Sequence, residues 1–210
     1  MSQPAAAKVQ RLGIYGGAFD PPHLAHWAVA QAAITQLGLD ALHLLPTGLA
    51  WHKRRNLTPS EHRVAMARLA FADLPRARVD IREIQRPGPT YTVQTLREIK
   101  QENPQAQLYL VIGADQAQTL PGWHQIEEIK RLAIICVAER DAPAFPLDFQ
   151  PSSDSDHVLN ADFLKISLPL MPHSATEIRQ RVALGQALTG LVCEDVASYI
   201  HDKHLYLCAQ

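Results

Sequence analysis

The chain is short of cysteine, of net charge and of long hydrophobic runs, and each shortage removes a class of protein. Three cysteines in 210 residues, Cys136, Cys193 and Cys208, stand without metal-like spacing. They read as reduced, mostly buried thiols in a cytosolic protein. Formal net charge is −1, so no general electrostatic adhesion to nucleic acid or to an anionic membrane is expected. Any phosphate the chain binds must therefore be held by local basic groups. No apolar run is long enough to span a bilayer, and the Ala-rich start, Met1 to Arg11, lacks the apolar core of a signal peptide. The expectation is a cytoplasmic protein with no membrane and no nucleic-acid partner; a homo-oligomer is compatible with the sequence. Internal repeats and domain linkers are missing too. So are the Gly-Lys-Ser/Thr ending of a Walker loop and the third glycine of a dinucleotide fingerprint.

What is present starts at Ile14-Tyr15-Gly16-Gly17-Ala18-Phe19-Asp20-Pro21-Pro22-His23-Leu24-Ala25-His26. Leu12 to Tyr15 is apolar and long enough for a buried strand. Gly16 and Gly17 predict a sharp turn at which a ligand can approach the backbone without a Cβ in the way. Pro21 and Pro22 predict a helix start, since proline is favoured in a first helical turn. His23 and His26, three apart, share one face of that helix at its N-terminal end. Unpaired N–H groups and the positive pole of the helix dipole suit that end to an anion. Strand, glycine turn and two imidazoles make a phosphate-binding corner.

Strand and helix patterns alternate along the rest of the chain, which predicts an α/β fold: a doubly wound, Rossmann-like parallel sheet with helices on both faces. Strands are expected at Ala41–Leu45, Arg78–Ile84, Leu108–Ile112, Leu132–Ala138 and Leu164–Leu168. Helices are expected at Leu24–Leu37, from Thr58 to about Phe71, at Tyr91–Glu102, and at about Ala175–Leu184 and Glu194–His201. Thr58 reads as an N-cap, with Pro59 at the first helical position and Glu61 closing a capping box. A single domain over residues 1–210 is expected, with a flexible arm at 1–10, a mobile Pro-, Ser- and Asp-rich loop at 143–157 and a helical part at 174–210. Ligands of such a sheet sit beyond the carboxyl ends of its strands.

Several chemistry-bearing residues fall on that edge. Asp115 follows a strand behind Gly113, where a carboxylate can accept from ribose hydroxyls and the glycine gives the sugar close access. Lys53 lies in a polar loop beside Arg54 and Arg55, and on spacing alone it is equally a solvated lysine. Ser174 opens a second helix as its cap, with Glu177 completing a capping box. Thr176 and Arg179 place a hydroxyl and a guanidinium three apart on one face, a geometry suited to a phosphate tail. Two helix N-termini at one sheet edge would clamp a triphosphate from both sides.

The string Gly-Gly-x-Phe-x-Pro-x-His-x-x-His resembles the signature of the nucleotidyltransferase superfamily. The resemblance narrows with Pro46…His52-Lys53, Arg63-x-x-Met66, Thr90-Tyr91-Thr92-x-x-Thr95-Leu96, Ile112-Gly113-x-Asp115…Leu120-x-x-Trp123 and Ser174-Ala175-Thr176-x-Ile178-Arg179. In this order the chain is similar to the bacterial nicotinate-nucleotide adenylyltransferase family from Leu12 to Tyr206. The resemblance implies that ATP and nicotinate mononucleotide give deamido-NAD and pyrophosphate. It implies ATP contacts from Gly16, Gly17, Phe19, His23, His26, Gly113, Asp115, Ser174, Thr176 and Arg179. It implies acceptor contacts from Gly17, Lys53, Thr90, Tyr91 and Trp123, with His23, His26, Lys53 and Arg179 serving the reaction. Magnesium, bound mainly through the ATP phosphates, is the cofactor it implies. Where the family often has Ile-Ser-Ser-Thr, this chain has His173-Ser174-Ala175-Thr176, so one hydroxyl contact is lost.

Two other readings stay open at this point. A sister adenylyltransferase for phosphopantetheine, or a cytidylyltransferase for a polyol phosphate, would share the opening motif. Trp123 and the Thr90–Tyr91 turn favour an aromatic base instead. A nucleotide-binding sensor with a decayed site would not be expected to keep both histidines, Lys53 and Arg179.

Overall fold

Strands buried on both faces need helices above and below them, and the chain supplies them in alternation. The computed structural model describes residues 10–48, 57–139, 163–169, 171 and 173–207. Among these, six strands form one wholly parallel sheet: β1 (Arg11–Gly17), β2 (Ala41–Pro46), β3 (Ala77–Val79), β4 (Gln107–Gly113), β5 (Ala133–Glu139) and β6 (Phe163–Ser167). The helices are α1 (Leu24–Gln36), α2 (Ser60–Ala70), α3 (Arg82–Gln85), α4 (Thr92–Glu102), α5 (Ala114–Thr119), α6 (Ile126–Leu132), α7 (Ala175–Ala183) and α8 (Glu194–Asp202), with a 3-10 turn at Leu120–Gly122. The expected α/β doubly wound fold is the one observed.

Spatial order is β3-β2-β1-β4-β5-β6. The chain starts in the middle, winds outward to β3, returns to β4 beside β1, and winds outward the other way. Direction reverses between β1 and β4, so a crevice opens beyond their carboxyl ends, where such sheets bind ligands. The two strands run in register from Arg11↔Gln107 to Tyr15↔Val111.

Alternating strand residues feed two cores. Leu12, Ile14, Leu108, Leu110 and Ile112 point to α4 and α6 and meet Val93, Leu96, Ile99 and Ile129. Tyr15, Leu42, Leu44, Tyr109, Val111 and Cys136 point the other way, to Ala30, Ala33 and Ile34 of α1 and to Ala67 and Phe71 at the end of α2. Cys136 is fully buried, as expected, and burial pushes its thiol up to about 12. A third cluster of Met66, Ile178, Val196 and Ile200 fastens α7 and α8 onto α2. That cluster brings the C-terminal helices back to the opening motif.

Two sequence expectations need correction. The strand expected over Arg78–Ile84 stops at Val79. Asp80 ends it: its Oδ1 accepts the Arg82 N–H at 3.1 Å, an Asx turn that starts α3, and its Oδ2 meets His43 Nδ1 at 2.9 Å and Arg82 Nε at 2.8 Å. Those cationic and hydrogen-bonding partners overcome desolvation and hold the Asp80 carboxyl well below the usual carboxylate range. Pro59 rather than Thr58 is the N-cap of α2, and the Thr58 N–H that Glu61 would need to close a capping box donates to Asp20 instead. Between β4 and β5, where no element was expected, the chain folds as α5, the 3-10 turn and α6, and Leu132 closes α6 rather than opening the strand. The N-terminal arm before Gln10 and the Pro143–Asp156 loop lie outside the described residues.

Glu83, in α3, is 7% exposed. Its Oε1 accepts from the Thr95 hydroxyl at 2.9 Å, and burial pushes its carboxyl up to about 7. In the unfolded chain it ionises near 4.3. Between those values the folded state binds the extra proton, so stability falls as pH rises through this window and the loss is complete above about 7. Glu83→Gln is expected to remove that slope, raising stability at pH 8 by on the order of 2 kcal/mol with little gain at pH 5. Urea unfolding of both proteins at the two pH values checks this; a parallel offset at both would refute it.

Candidate active site

At the switch point, β1 ends in Gly16 and Gly17 and β4 ends in Gly113. A Cβ at Gly16 would meet nothing within 4 Å, so the crevice is open there. At Gly17 it would lie 3.0 Å from the Phe19 ring. The glycines themselves remain in the strand; the chain turns at Phe19, whose φ is 47°. A large side chain in the left-handed region costs energy and persists only where its surroundings hold it. Phe19 is 1% exposed and is gripped edge-on by Tyr15, His26 and Phe71, at ring-centroid distances of 5.8, 5.2 and 5.6 Å.

The polar groups of this turn are satisfied from distant parts of the chain. Arg63, 3% exposed on α2, donates through one terminal nitrogen to the Ala18 carbonyl at 3.0 Å and through Nε to the Thr58 carbonyl at 2.9 Å. Asp20, 1% exposed, accepts the Thr58 N–H at 3.1 Å on Oδ2 and the Tyr206 hydroxyl at 2.6 Å on Oδ1. The Asp20 carbonyl accepts from Arg179 at 2.8 Å. Each such bond adds only about 1 kcal/mol net, but a buried partner left alone costs about 1–3 kcal/mol.

The two histidines lie side by side at the N-terminal end of α1, as the spacing suggested, but not as two residues riding on the helix. His23 is the N-cap of α1, in extended backbone at φ −144° and ψ 172°, and the prolines lie before the helix rather than in it. His26, three residues on, folds back so that its Nδ1 accepts the His23 N–H at 3.2 Å, the reaching-back half of a capping box. Their rings lie 3.8 Å apart, centroid to centroid. With Nδ1 as acceptor, the neutral His26 ring carries its proton on Nε2 and presents a donor there.

α7 comes to the same turn. Ser174 caps it, accepting the Glu177 N–H at 3.1 Å. Glu177 does not close the capping box, since it pairs forward with Arg181 at 3.0 Å. Thr176 and Arg179 do lie together, with the guanidinium donating to the Thr176 hydroxyl at 3.1 Å. The structure thus assembles His23, His26, Arg179 and Thr176 around one turn.

Across the switch point Asp115 is exposed in the first turn of α5. An added Cβ at Gly113 would lie 2.6 Å from Asp115 Oδ1, so the glycine leaves room for that carboxylate over the strand end. On the other side of β1, Tyr91 is the N-cap of α4 and Thr90 Oγ1 is buried with no hydrogen-bond partner among the described residues. A Cβ at Gly48 would lie 2.1 Å from the Glu83 carbonyl oxygen and 2.8 Å from Thr90 Oγ1, so the chain leaving β2 passes hard against this turn. The Tyr91 ring packs on His124 at 4.6 Å. Trp123 is half-buried against the α4 core, and its Nε1 donates to Thr119 at 3.2 Å. Lys53 lies outside the described residues. Among the described residues no three His, Cys, Asp or Glu side chains group to hold a metal ion.

Asp20, Arg63, Tyr206 and His124 are parts of this arrangement that sequence reasoning did not assign. Arg63 had a signal, an arginine on the same α2 face as buried Met66 and Ala67, since a charge on an apolar face must have partners. Tyr206 had none: its partner is 186 residues away.

Comparison with known proteins agrees with this geometry. A family model described as cytidylyltransferase-like matches residues 14–181. A nicotinate-nucleotide adenylyltransferase, so named, of Albidiferax ferrireducens is 49% identical over 96% of this chain and 100% of its own. One so named of Methylibium petroleiphilum is 38% identical over 96% of this chain and 94% of its own. Among solved structures, Plasmodium falciparum nicotinic acid mononucleotide adenylyltransferase complexed with NaAD superposes with a TM-score of 0.71 at 17% identity, covering 94% of this chain and 97% of that one. The same enzyme complexed with APC gives 0.70 at 18% identity, with the same coverage. At these identities the solved structures speak for the fold.

Arg63→Lys tests the turn. An ammonium cannot serve two carbonyls through a rigid fork, so one of the Ala18 and Thr58 carbonyls is left without its partner. A loss of roughly 1–3 kcal/mol is expected by chemical unfolding; wild-type stability would show that the fork does not hold the turn.

Proposed function

The chain belongs to the cytidylyltransferase-like family and, within it, to the nicotinate-nucleotide adenylyltransferases, and from that premise we propose how its own residues serve the reaction. It transfers the adenylyl group of ATP to nicotinate mononucleotide, giving deamido-NAD and pyrophosphate. A 5′-phosphate oxygen of the mononucleotide attacks the α-phosphorus of ATP. A new P–O bond forms, the bond to the bridging α–β oxygen breaks, and its electron pair leaves with pyrophosphate. The nucleophile is already anionic at neutral pH, so neither a general base nor a covalent intermediate is required. Catalysis reduces to holding two anions in line and stabilising the charge that develops.

The observation that carries the assignment is the joining of His23, His26 and Arg179 at the turn that ends β1. His26 Nε2–H is assigned to the α-phosphate oxygen, with His23 beside it and the main chain of Gly16, Gly17 and Phe19 beneath. Arg179, Thr176 and Ser174 take the β- and γ-phosphates. The cap bond uses Ser174 Oγ only as an acceptor, so its own O–H remains a donor. Asp115, reached past Gly113, takes the ATP ribose. Gly17, Lys53, Thr90, Tyr91 and Trp123 are assigned to the mononucleotide, with Trp123 against the pyridine ring.

Magnesium is assigned to the substrate rather than to a protein cage. As a hard ion it takes phosphate and water oxygens, which suits a described site without a convergent set of three ligating side chains. When bound it would neutralise phosphate charge.

The reading is tested by supplying ATP, magnesium and one acceptor at a time (nicotinate mononucleotide, its amide counterpart, phosphopantetheine, a polyol phosphate) and measuring pyrophosphate. His26→Ala is expected to lower turnover at least a hundredfold while ATP binding stays within about tenfold, because the contact strengthens in the transition state. Collapse of ATP affinity with normal turnover at saturation would reassign His26 to ground-state binding.

Acceptor choice gives a second test. Acid and amide are nearly equal in size, so a site selects by what it offers that group. N–H donors at Thr90 and Tyr91, at the positive end of α4, suit a carboxylate, whereas an amide NH₂ would have only the Thr90 hydroxyl oxygen to receive one of its two protons. A buried unpaired amide costs roughly 1–3 kcal/mol and the charge–dipole attraction is lost as well. A preference of at least about a hundredfold in kcat/KM for the acid is expected. Equal rates would leave Trp123 stacking as the main recognition element.

A further inference from the structure

No substrate contact is assigned to Tyr206 or to the Asp20 side chain, yet both sit at the turn that presents the side chains assigned to the phosphates. Asp20 Oδ1 receives the Tyr206 hydroxyl at 2.6 Å and Oδ2 receives the Thr58 N–H at 3.1 Å. The same residue's main-chain carbonyl receives Arg179 at 2.8 Å. Two prolines separate Asp20 from His23, and their fixed φ makes that connection stiff. A rotation of the Asp20 peptide unit therefore carries His23 on one side and the Arg179 anchor on the other.

The C-terminal turn spends conformational energy to reach Asp20. After α8, both His204 and Tyr206 lie in the left-handed region, at φ 51° and 62°. The Leu205 N–H returns to the Ile200 carbonyl at 3.0 Å and fixes that turn. Non-glycine residues hold such angles only where surrounding contacts impose them, and such sites concentrate near function. Burial, then the neighbouring Asp20 charge, raises the Tyr206 hydroxyl above its usual range, so it remains a proton donor throughout the physiological range.

We propose that Tyr206 is a positioning residue for adenylyl transfer: its hydroxyl, through Asp20, sets the relative placement of His23 and Arg179. The inference rests on the assignment of those two side chains to the ATP phosphates. A C-terminal turn whose bond served only stability would lower the melting temperature and leave saturated turnover alone. A positioning bond acts on the geometry of a charged transition state, where small misplacements are expensive.

Tyr206→Phe removes one oxygen and keeps the ring. Its kcat is expected to fall about tenfold, with KM for ATP within about threefold of wild type and the folded state intact by melting. Asp20→Asn is expected to fall at least as far, and the double variant to be no slower than Asp20→Asn within about threefold, because the two changes break one link. Wild-type kcat in Tyr206→Phe, or losses that multiply in the double variant, would overturn the proposal. If Asp20→Asn does not fold, the kcat and KM of Tyr206→Phe alone decide. Wild-type protein that releases no pyrophosphate from ATP and nicotinate mononucleotide would instead refute the underlying assignment.

Discussion

The site depends on one buried carboxylate. Asp20 is almost wholly removed from water, and an ionised carboxylate there is tolerable only if hydrogen-bond donors replace its hydration. Those donors come from the start of α2 and from the far end of the chain, while the main-chain carbonyl of the same residue fixes Arg179. The requirement to satisfy one group thus draws three separate segments onto the end of β1. Phe19 is held in a left-handed conformation by the same closure, with its ring locked among Tyr15, His26 and Phe71. Apolar packing and polar satisfaction act on adjacent residues and point to a single geometry.

On the proposed reading the chemistry follows from that geometry without a protein nucleophile or a general base, since the attacking oxygen is the substrate's own phosphate. His26 has its tautomer set by the His23 N–H, so a donor is prepared in advance of substrate, which is what electrostatic catalysis needs. The parallel sheet places this turn beside the end of β4, at the reversal of strand order. On the same proposed reading the two strand ends divide the labour, the β1 turn taking phosphates and the β4 turn a sugar. Flanking β1 on its other side, Gly48 lets the chain pass against Glu83 and Thr90. The Thr90–Tyr91 turn, proposed above for the acceptor, is thereby tied to α3 and to its buried Glu83.

Local signals made much of this legible. The apolar runs at Leu12–Tyr15 and Leu108–Ile112 and the end of the first helix at Leu37 were read at the right places because their causes lie within a few residues. The helix cap at Ser174 was read for the same reason. The strand at Arg78 was overextended because alternation continued past Asp80, and the Asx turn that ends it depends on His43 and Arg82 partners that periodicity does not register. Likewise Thr58 has the chemistry of a cap, but a distant carboxylate claims its N–H.

The sequence by itself determined the parallel α/β class, the family and the residue types brought to the strand ends, because hydrophobic period, turn chemistry and motif spacing are local properties. Tertiary structure alone decided that His23 caps its helix rather than riding on it and that the turn falls at Phe19 rather than at the glycines. It alone placed Arg63 under the Ala18 carbonyl and Tyr206 on Asp20. The Arg63 and Tyr206 outcomes are each the partnering of a buried polar group with residues far along the chain. Such partners are selected by which groups folding buries together, and separation in sequence carries no trace of it.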